Sequence, residues 1–236
     1  MTDRPLEQSI ALVTGASRGI GAATARALAA RGAHVVLVAR TVGGLEQTEE
    51  AIHDAGGTAT IAPLDLTDGD SIGRLANAVA ERWGRLDLLV LNAALLGALA
   101  PVPSIDPKEF SRVLTLNVGA NQALIAAFDP LLRQSARPRL AALTSSVGQQ
   151  PRAYWGAYGA SKAALETLVA TYGEEMANLT DLRVAIVDPG ATATGMRAAA
   201  FPGEDPATIK PAAQVGDAIA DLLAGDYPTG HRIRIG

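Results

Sequence analysis

The chain contains no cysteine, which removes disulfides, thiolate metal sites and cysteine nucleophiles at once. Histidine is scarce as well. His34 and His231 fall in expected strands and His53 in an expected surface helix, so they supply neither a Ser-His-Asp set nor a metal-ligand cluster. Long apolar runs are missing. The greasiest stretch, 88–100, is broken by Asn92 and Gly97 and falls short of the roughly 18 continuous apolar residues a membrane span requires. The start of the chain carries Asp3, Arg4, Glu7 and Gln8 ahead of a short apolar run at 10–13, too brief for a signal-peptide core. Positive charge is not in excess: 20 Lys and Arg against 24 Asp and Glu leave a net charge of −4. Nucleic acid and anionic membrane surfaces are therefore not expected partners, and a cytoplasmic setting is expected.

What the sequence does hold is alternation. Short β-rich runs at 10–13, 34–39, 59–62, 86–91, 140–144, 183–187 and 231–235 are mostly apolar on both faces, as strands covered on each side must be. Between them, apolar positions recur at helical spacing over 19–31, 43–55, 70–83, 107–134, 157–178 and 212–223. Repeated βαβ units predict an α/β fold: one doubly wound Rossmann-type domain over 1–236, with helices on both faces of a seven-stranded, mostly parallel sheet. Gly32, Gly56 and Gly84 stand where three helices need a left-handed closing residue. The stretch 194–211, with Gly195, Pro202, Gly203, Pro206 and Pro211, reads as a long irregular excursion.

Between the first strand and first helix stands Thr14-Gly15-Ala16-Ser17-Arg18-Gly19-Ile20-Gly21. Glycines there let backbone N–H groups approach a pyrophosphate, and the helix presents its positive end to that anion. Taken alone, the cluster reads equally well as a flexible strand-to-helix turn. Its placement after an apolar strand and before a helix favours the phosphate.

Tyr158 and Lys162 are four apart, so on a helix they share a face. A free phenol titrates near 10, roughly 4 kcal/mol from serving as a base at neutral pH. One cation at ~4 Å in an effective dielectric of ~20 is worth about as much. That arithmetic assigns Lys162 the task of lowering the Tyr158 pKa. By itself the pair also fits a half-buried aromatic beside a solvated lysine.

With these motifs in chain order, the sequence resembles the short-chain dehydrogenase/reductase family over almost its whole length. The matches are Thr-Gly-x-x-x-Gly-x-Gly at 14–21, Asp65, Asn92-Ala93, Asn117, Ser145, Tyr158-x-x-x-Lys162 and Pro189-Gly190. Ser145 precedes Tyr158 at the family's spacing, whereas Ser146 is out of register and reads as a turn residue. Departures are Leu91 and Ala94 where the family has Asn and Gly, and an end at Gly236 without the common Asp-Gly-Gly tail.

The resemblance implies reversible hydride transfer between a nicotinamide and a carbonyl or alcohol carbon of a small molecule. Tyr158 is the implied acid/base and Ser145 the hydrogen-bond donor to substrate. Lys162 is also implied to hold the nicotinamide ribose, and Asn117, in a helix irregularity, to hold a relay water. Gly15, Ser17, Arg18, Gly19, Ile20 and Gly21 are implied to cradle the phosphates, with Asn92 and Ala93 bracing them. Asp65 and Leu66 are implied to hold the adenine, and Pro189, Gly190, Thr192 and Thr194 the carboxamide. The cofactor half is expected at about 1–140 and the catalytic half at about 141–236. A homo-oligomer is implied, a tetramer or else a dimer, with Ala123, Ile125, Ala126, Leu165, Leu168 and Val169 offering surfaces to neighbouring subunits.

NAD-selecting members of such folds place an acid at the end of the second strand, where it repels a 2′-phosphate. Here Ala39 and Arg40 stand there, and Arg18 lies in the glycine turn. NADP(H) is the expected cofactor, with NAD(H) as the lesser option. Leu95, Leu96, Gln149, Gln150, Tyr154, Trp155, Met196 and Phe201 are the expected pocket wall. A catalytically idle NADP(H)-binding regulator is the alternative function. It has no need of the Tyr158 phenol or the Ser145 hydroxyl, and their presence favours an enzyme.

Overall fold

The computed structural model describes residues 4–236, so the first residues of the amino-terminal segment read above lie outside the described residues. The chain runs β1 (Ile10–Thr14), α1 (Gly19–Ala30), β2 (His34–Ala39), α2 (Val42–Asp54), β3 (Thr58–Pro63), α3 (Gly69–Trp83) and β4 (Leu88–Leu91). It continues through α4 (Pro107–Leu114), a π-helical turn (Thr115–Gly119), α5 (Ala120–Leu132), β5 (Arg139–Leu143), α6 (Gly156–Met176) and β6 (Arg183–Asp188). A two-residue strand β7 (Thr192–Ala193), α7 (Gly195–Ala200), β8 (Lys210–Pro211), α8 (Ala212–Ala224) and β9 (His231–Arg234) complete it.

Seven strands form one sheet in the order β3-β2-β1-β4-β5-β6-β9, and every pairing in it is parallel. The expected doubly wound α/β architecture is thus present, with parallel pairing throughout. β1 through β6 of this sheet are mostly apolar on both faces because helices cover both. One buried layer packs Leu12, Leu89 and Phe128 beneath α3, α5 and α6. The other packs Val13, Leu37 and Ile219 beneath α1, α2 and α8. β1 lies between β2 and β4, so the order of winding reverses there. That reversal opens a crevice at the carboxyl ends of the strands, where open α/β sheets bind ligands.

Gly32, Gly56 and Gly84 all have positive φ, at 103°, 76° and 69°, as their closing positions require. The helix expected over 107–134 is interrupted by the π-helical turn, the irregularity at Asn117 that the resemblance implied. Two readings need correction. The stretch 194–211 is not irregular throughout. The Thr194 hydroxyl accepts a bond from the Arg197 N–H at 3.2 Å and caps α7, whose alanines favour helix despite the nearby glycines and prolines. Finally, Leu165 and Val169 are buried in the chain's own core and are not surfaces for a neighbour, whereas Ile125, though mostly buried, reaches the edge of an open groove. The helices carrying them lie flat on the sheet, leaving Ala126 exposed, with Ala123 and Leu168 partly so.

Candidate active site

At the carboxyl end of β1 the glycine turn is tight. Gly15 and Gly19 have φ of 67° and 59°. A Cβ on Gly21 would lie 2.2 Å from the Gly15 carbonyl oxygen, and one on Gly15 would lie 2.8 Å from Asn92 Nδ2. Neither position admits a side chain. Asn92 follows β4 and ties the turn from behind: its Nδ2 donates to the Thr14 carbonyl at 2.8 Å and to that of Gly15 at 3.4 Å. The Thr14 hydroxyl accepts from the Asn92 and Ala93 N–H groups. No side chain caps α1 and no acid stands in its first turn. Its leading N–H groups therefore have no side-chain partner, and the cradle fits an anion such as a pyrophosphate, which Ser17, Gly19, Ile20 and Gly21 would hold.

Along the rim, Arg18 and Arg40 are exposed. Arg40 approaches Asp65 at 3.9 Å, and the Asp65 carboxylate accepts from the Thr67 N–H and hydroxyl at 2.9 and 2.8 Å. Those Thr67 bonds, with Arg40 a smaller influence, hold the Asp65 carboxyl below its ordinary range. Leu66 beside it is buried. Across the crevice, Asp188 accepts the Gly190 N–H at 2.9 Å. Gly190, after Pro189, has φ 64°, and the Thr192 hydroxyl donates to the carbonyls of both residues. The turn brings Thr194 against Gly19, whose added Cβ would sit 3.5 Å from the Thr194 methyl. The two ends of the crevice thus face one another.

The catalytic candidates gather where the turn after β5 lies on α6. Gly159 and Gly148 permit this closeness. A Cβ on Gly159 would be 2.8 Å from the Val147 carbonyl, and one on Gly148 would be 3.2 Å from Lys162 Cβ. Ser145 opens this turn in extended backbone, its hydroxyl spent on no cap. The Ser146 carbonyl accepts the Gln149 and Gln150 N–H groups, which fits a turn role.

Tyr158 and Lys162 are both buried. Lys162 Nζ lies 5.5 Å from the Tyr158 ring centre and donates to the Leu143 carbonyl at 2.7 Å. Burial pushes the Tyr158 phenol well above its ordinary value, with the Asp188 carboxylate adding to the rise. Burial likewise lowers Lys162 to about 8, an effect only partly opposed by Glu166. Burial thus opposes the lowering of the phenol assigned to Lys162. Its ammonium is held by a backbone carbonyl, and desolvation dominates.

Asn117 is wholly buried in the π-helical turn. Its side chain accepts the Leu95 N–H at 2.8 Å and donates to the Leu95 carbonyl and the Ser161 hydroxyl, each at 2.9 Å. Its own carbonyl accepts from Asn121 Nδ2 at 2.8 Å. Asn117 thus clamps the segment after β4 to α6, and any relay water at its carbonyl would share that oxygen with Asn121.

One residue escaped the sequence reading. Glu166, a further turn along α6 from Lys162, accepts from the Thr144 hydroxyl, from Gln149 Nε2 at 3.0 Å and from Arg232 of β9. Burial opposes its charge, yet these donors outweigh burial and hold the carboxyl below its ordinary range. Glu166 anchors both flanks of the Ser145 turn. The signal available was an acid four residues beyond Lys162, but its partners are distant in sequence. Gln149, expected on the pocket wall, is drawn into this network instead. Trp155 and Phe201 do stand at the site: Trp155 meets Tyr158 edge-on at 6.0 Å and Phe201 at 5.7 Å between ring centres.

A doubly wound sheet, a glycine-built anion cradle and a Ser-Tyr-Lys constellation at one crevice define an oxidoreductase of the dinucleotide-binding α/β class. The family model for the short chain dehydrogenases matches residues 9–205, and the chain belongs to that family. It is 39% identical over 224 residues to the oxidoreductase YciK of Escherichia coli K12, covering 94% of this chain and 88% of that protein. A short chain dehydrogenase from Escherichia coli CFT073 complexed with NADPH superposes with a TM-score of 0.93 at 38% identity, covering 99% of both chains. A metagenomic short-chain oxidoreductase in complex with NADP superposes at 0.84 with 32% identity, over 98% of this chain and 97% of that one.

Proposed function

We propose that the chain is an NADP(H)-dependent carbonyl reductase, working reversibly on a carbonyl or alcohol carbon, with Tyr158 as the acid/base. The carrying observation is the buried Tyr158, with Lys162 Nζ 5.5 Å from its ring centre, in the same crevice as the glycine cradle. When bound, the nicotinamide nucleotide supplies or accepts the hydride. Tyr158 gives its proton to the carbonyl oxygen, and Ser145 donates a hydrogen bond to the same oxygen as charge develops on it. Lys162 holds a positive charge behind the phenol and favours the tyrosinate left after proton transfer. Trp155 and Phe201 flank the phenol on one side. The test is a panel of ketones, aldehydes, quinones and acyl-thioester ketones followed by loss of NADPH absorbance. At least one class is expected to be turned over, and inertness toward every class would contradict the reading.

The cofactor preference rests on Arg18 and Arg40, exposed at the rim with only a loose partner at Asp65. Charge-assisted contacts to a 2′-phosphate favour NADPH by about tenfold or more. Comparison of kcat/KM for NADPH and NADH is expected to show that preference. Arg40→Ala should erode it through NADPH alone, and Ala39→Asp should reverse it. Equal use of both nucleotides by the wild type would contradict the assignment.

A homo-oligomer is also proposed, a tetramer or else a dimer, built on the outer face of α5 and α6. An open groove there is lined by Ala126, Leu168 and Tyr172. Light scattering at micromolar concentration is expected to give a mass above that of one chain. A strictly monomeric mass would refute it.

A further inference from the structure

The segment between the Ser145 turn and α6 carries the one non-glycine residue near the site with positive φ, Tyr154 at 74°. Bulky side chains avoid that region, and a residue held there marks a turn whose shape the surroundings impose. The surroundings are visible. Trp155 N–H donates to the Arg152 carbonyl at 3.1 Å, closing the turn, and the Tyr154 carbonyl accepts the Ala100 N–H at 3.1 Å, pinning it to the segment after β4. The turn delivers two side chains. Trp155 goes against Tyr158, and the Arg152 guanidinium stacks 5.7 Å from the Trp155 ring centre and 4.9 Å from that of Phe201.

Two arginines stack on Phe201, and they differ. Arg197, 3.7 Å from that ring centre, is neutralised by Glu204 through two bonds of 2.5 and 2.6 Å. Arg152 meets only ring faces, and no carboxylate pairs with it among the described residues. Ring faces attract a guanidinium but leave its N–H edge unused, and that edge matches a carboxylate in bidentate fashion. Arg152 is exposed, one ring beyond the proposed proton donor and with its donor edge unspent, which suits it to recognise an anion.

We infer that Arg152, seated on Trp155 and Phe201, is a specificity-determining residue that binds a carboxylate on the far end of the carbonyl substrate. The preferred substrates are then anionic oxo acids with a flat or apolar body between carbonyl and carboxylate. The inference rests on the carbonyl reductase reading above for the orientation of the substrate, while the anion site itself can be tested by binding alone.

The probes are 4-acetylbenzoate and its neutral isostere 4-acetylbenzamide, titrated calorimetrically into the full chain saturated with NADP+. The carboxylate is expected to bind about tenfold more tightly, with the advantage shrinking as salt is raised. In Arg152→Gln the ratio of the two affinities should fall to near one, and Arg152→Lys should restore part of it. Equal affinities in the wild type, no saturable binding of the carboxylate, or a ratio that survives Arg152→Gln would overturn the inference. Turnover of the same pair with NADPH is measured in parallel. A carboxylate preference in binding without reduction of either ketone sustains the anion site and counts against the reductase reading alone.

Discussion

Replacing Tyr158 with phenylalanine is expected to lower kcat for carbonyl reduction by about 10²- to 10⁴-fold, the range of a positioned general acid. Cofactor affinity should stay within about threefold, since the cradle is remote from the change. The ring packs against Trp155, and that contact needs no hydroxyl. Nothing in the core is lost with it, so the folded state should survive. Steady-state kinetics on an accepted ketone, with nucleotide affinity measured separately, checks both halves. A variant retaining near wild-type kcat would remove Tyr158 from the chemistry.

Lys162→Met carries an effect nearly as large and a second signature in stability. Turnover and nucleotide affinity are both expected to fall by tenfold or more, since a buried cation serves both. The stability signature comes from burial, which lowers the lysine from 10.5 to about 8. Between those values the unfolded chain keeps a proton that the folded protein has released. Wild-type stability therefore rises with pH across that window, relative to a variant that cannot titrate there. From about pH 7.5 to 9.5 the gain should be of the order of 2 kcal/mol. Denaturant titrations of both proteins across this range measure it. A difference independent of pH would mean that Lys162 titrates as a solvated lysine does.

The sheet was legible because its physics is local. Strands apolar on both faces, such as His34–Ala39, and glycines at the closing positions 32, 56 and 84 announce themselves within a few residues. The Tyr158 and Lys162 pairing was legible for the same reason, being one turn of one helix. What escaped depends on distant partners. Glu166 is organised by Thr144, Gln149 and Arg232, which only the fold brings together. The upward push of burial on the Tyr158 phenol depends on how deeply α6 is covered, a tertiary quantity that the charge arithmetic of an isolated pair omits. Leu165 and Val169 show the same limit from the other side. Helical spacing identifies an apolar face, but not whether it meets its own sheet or a neighbour's helix. The helix α7 was hidden by Gly195 and Pro202 at its two ends, although its alanines and the Thr194 cap were present in the sequence.

The central claim is that Tyr158 completes a hydride transfer to a carbonyl carbon, and isotope transfer tests it most directly. NADPH carrying deuterium at the transferable position of its nicotinamide is incubated with an accepted ketone, and the alcohol is analysed by mass spectrometry. The account predicts one deuterium on the former carbonyl carbon with the wild type, formed far more slowly by Tyr158→Phe. Saturable NADPH binding with no deuterium reaching any carbonyl compound would contradict it.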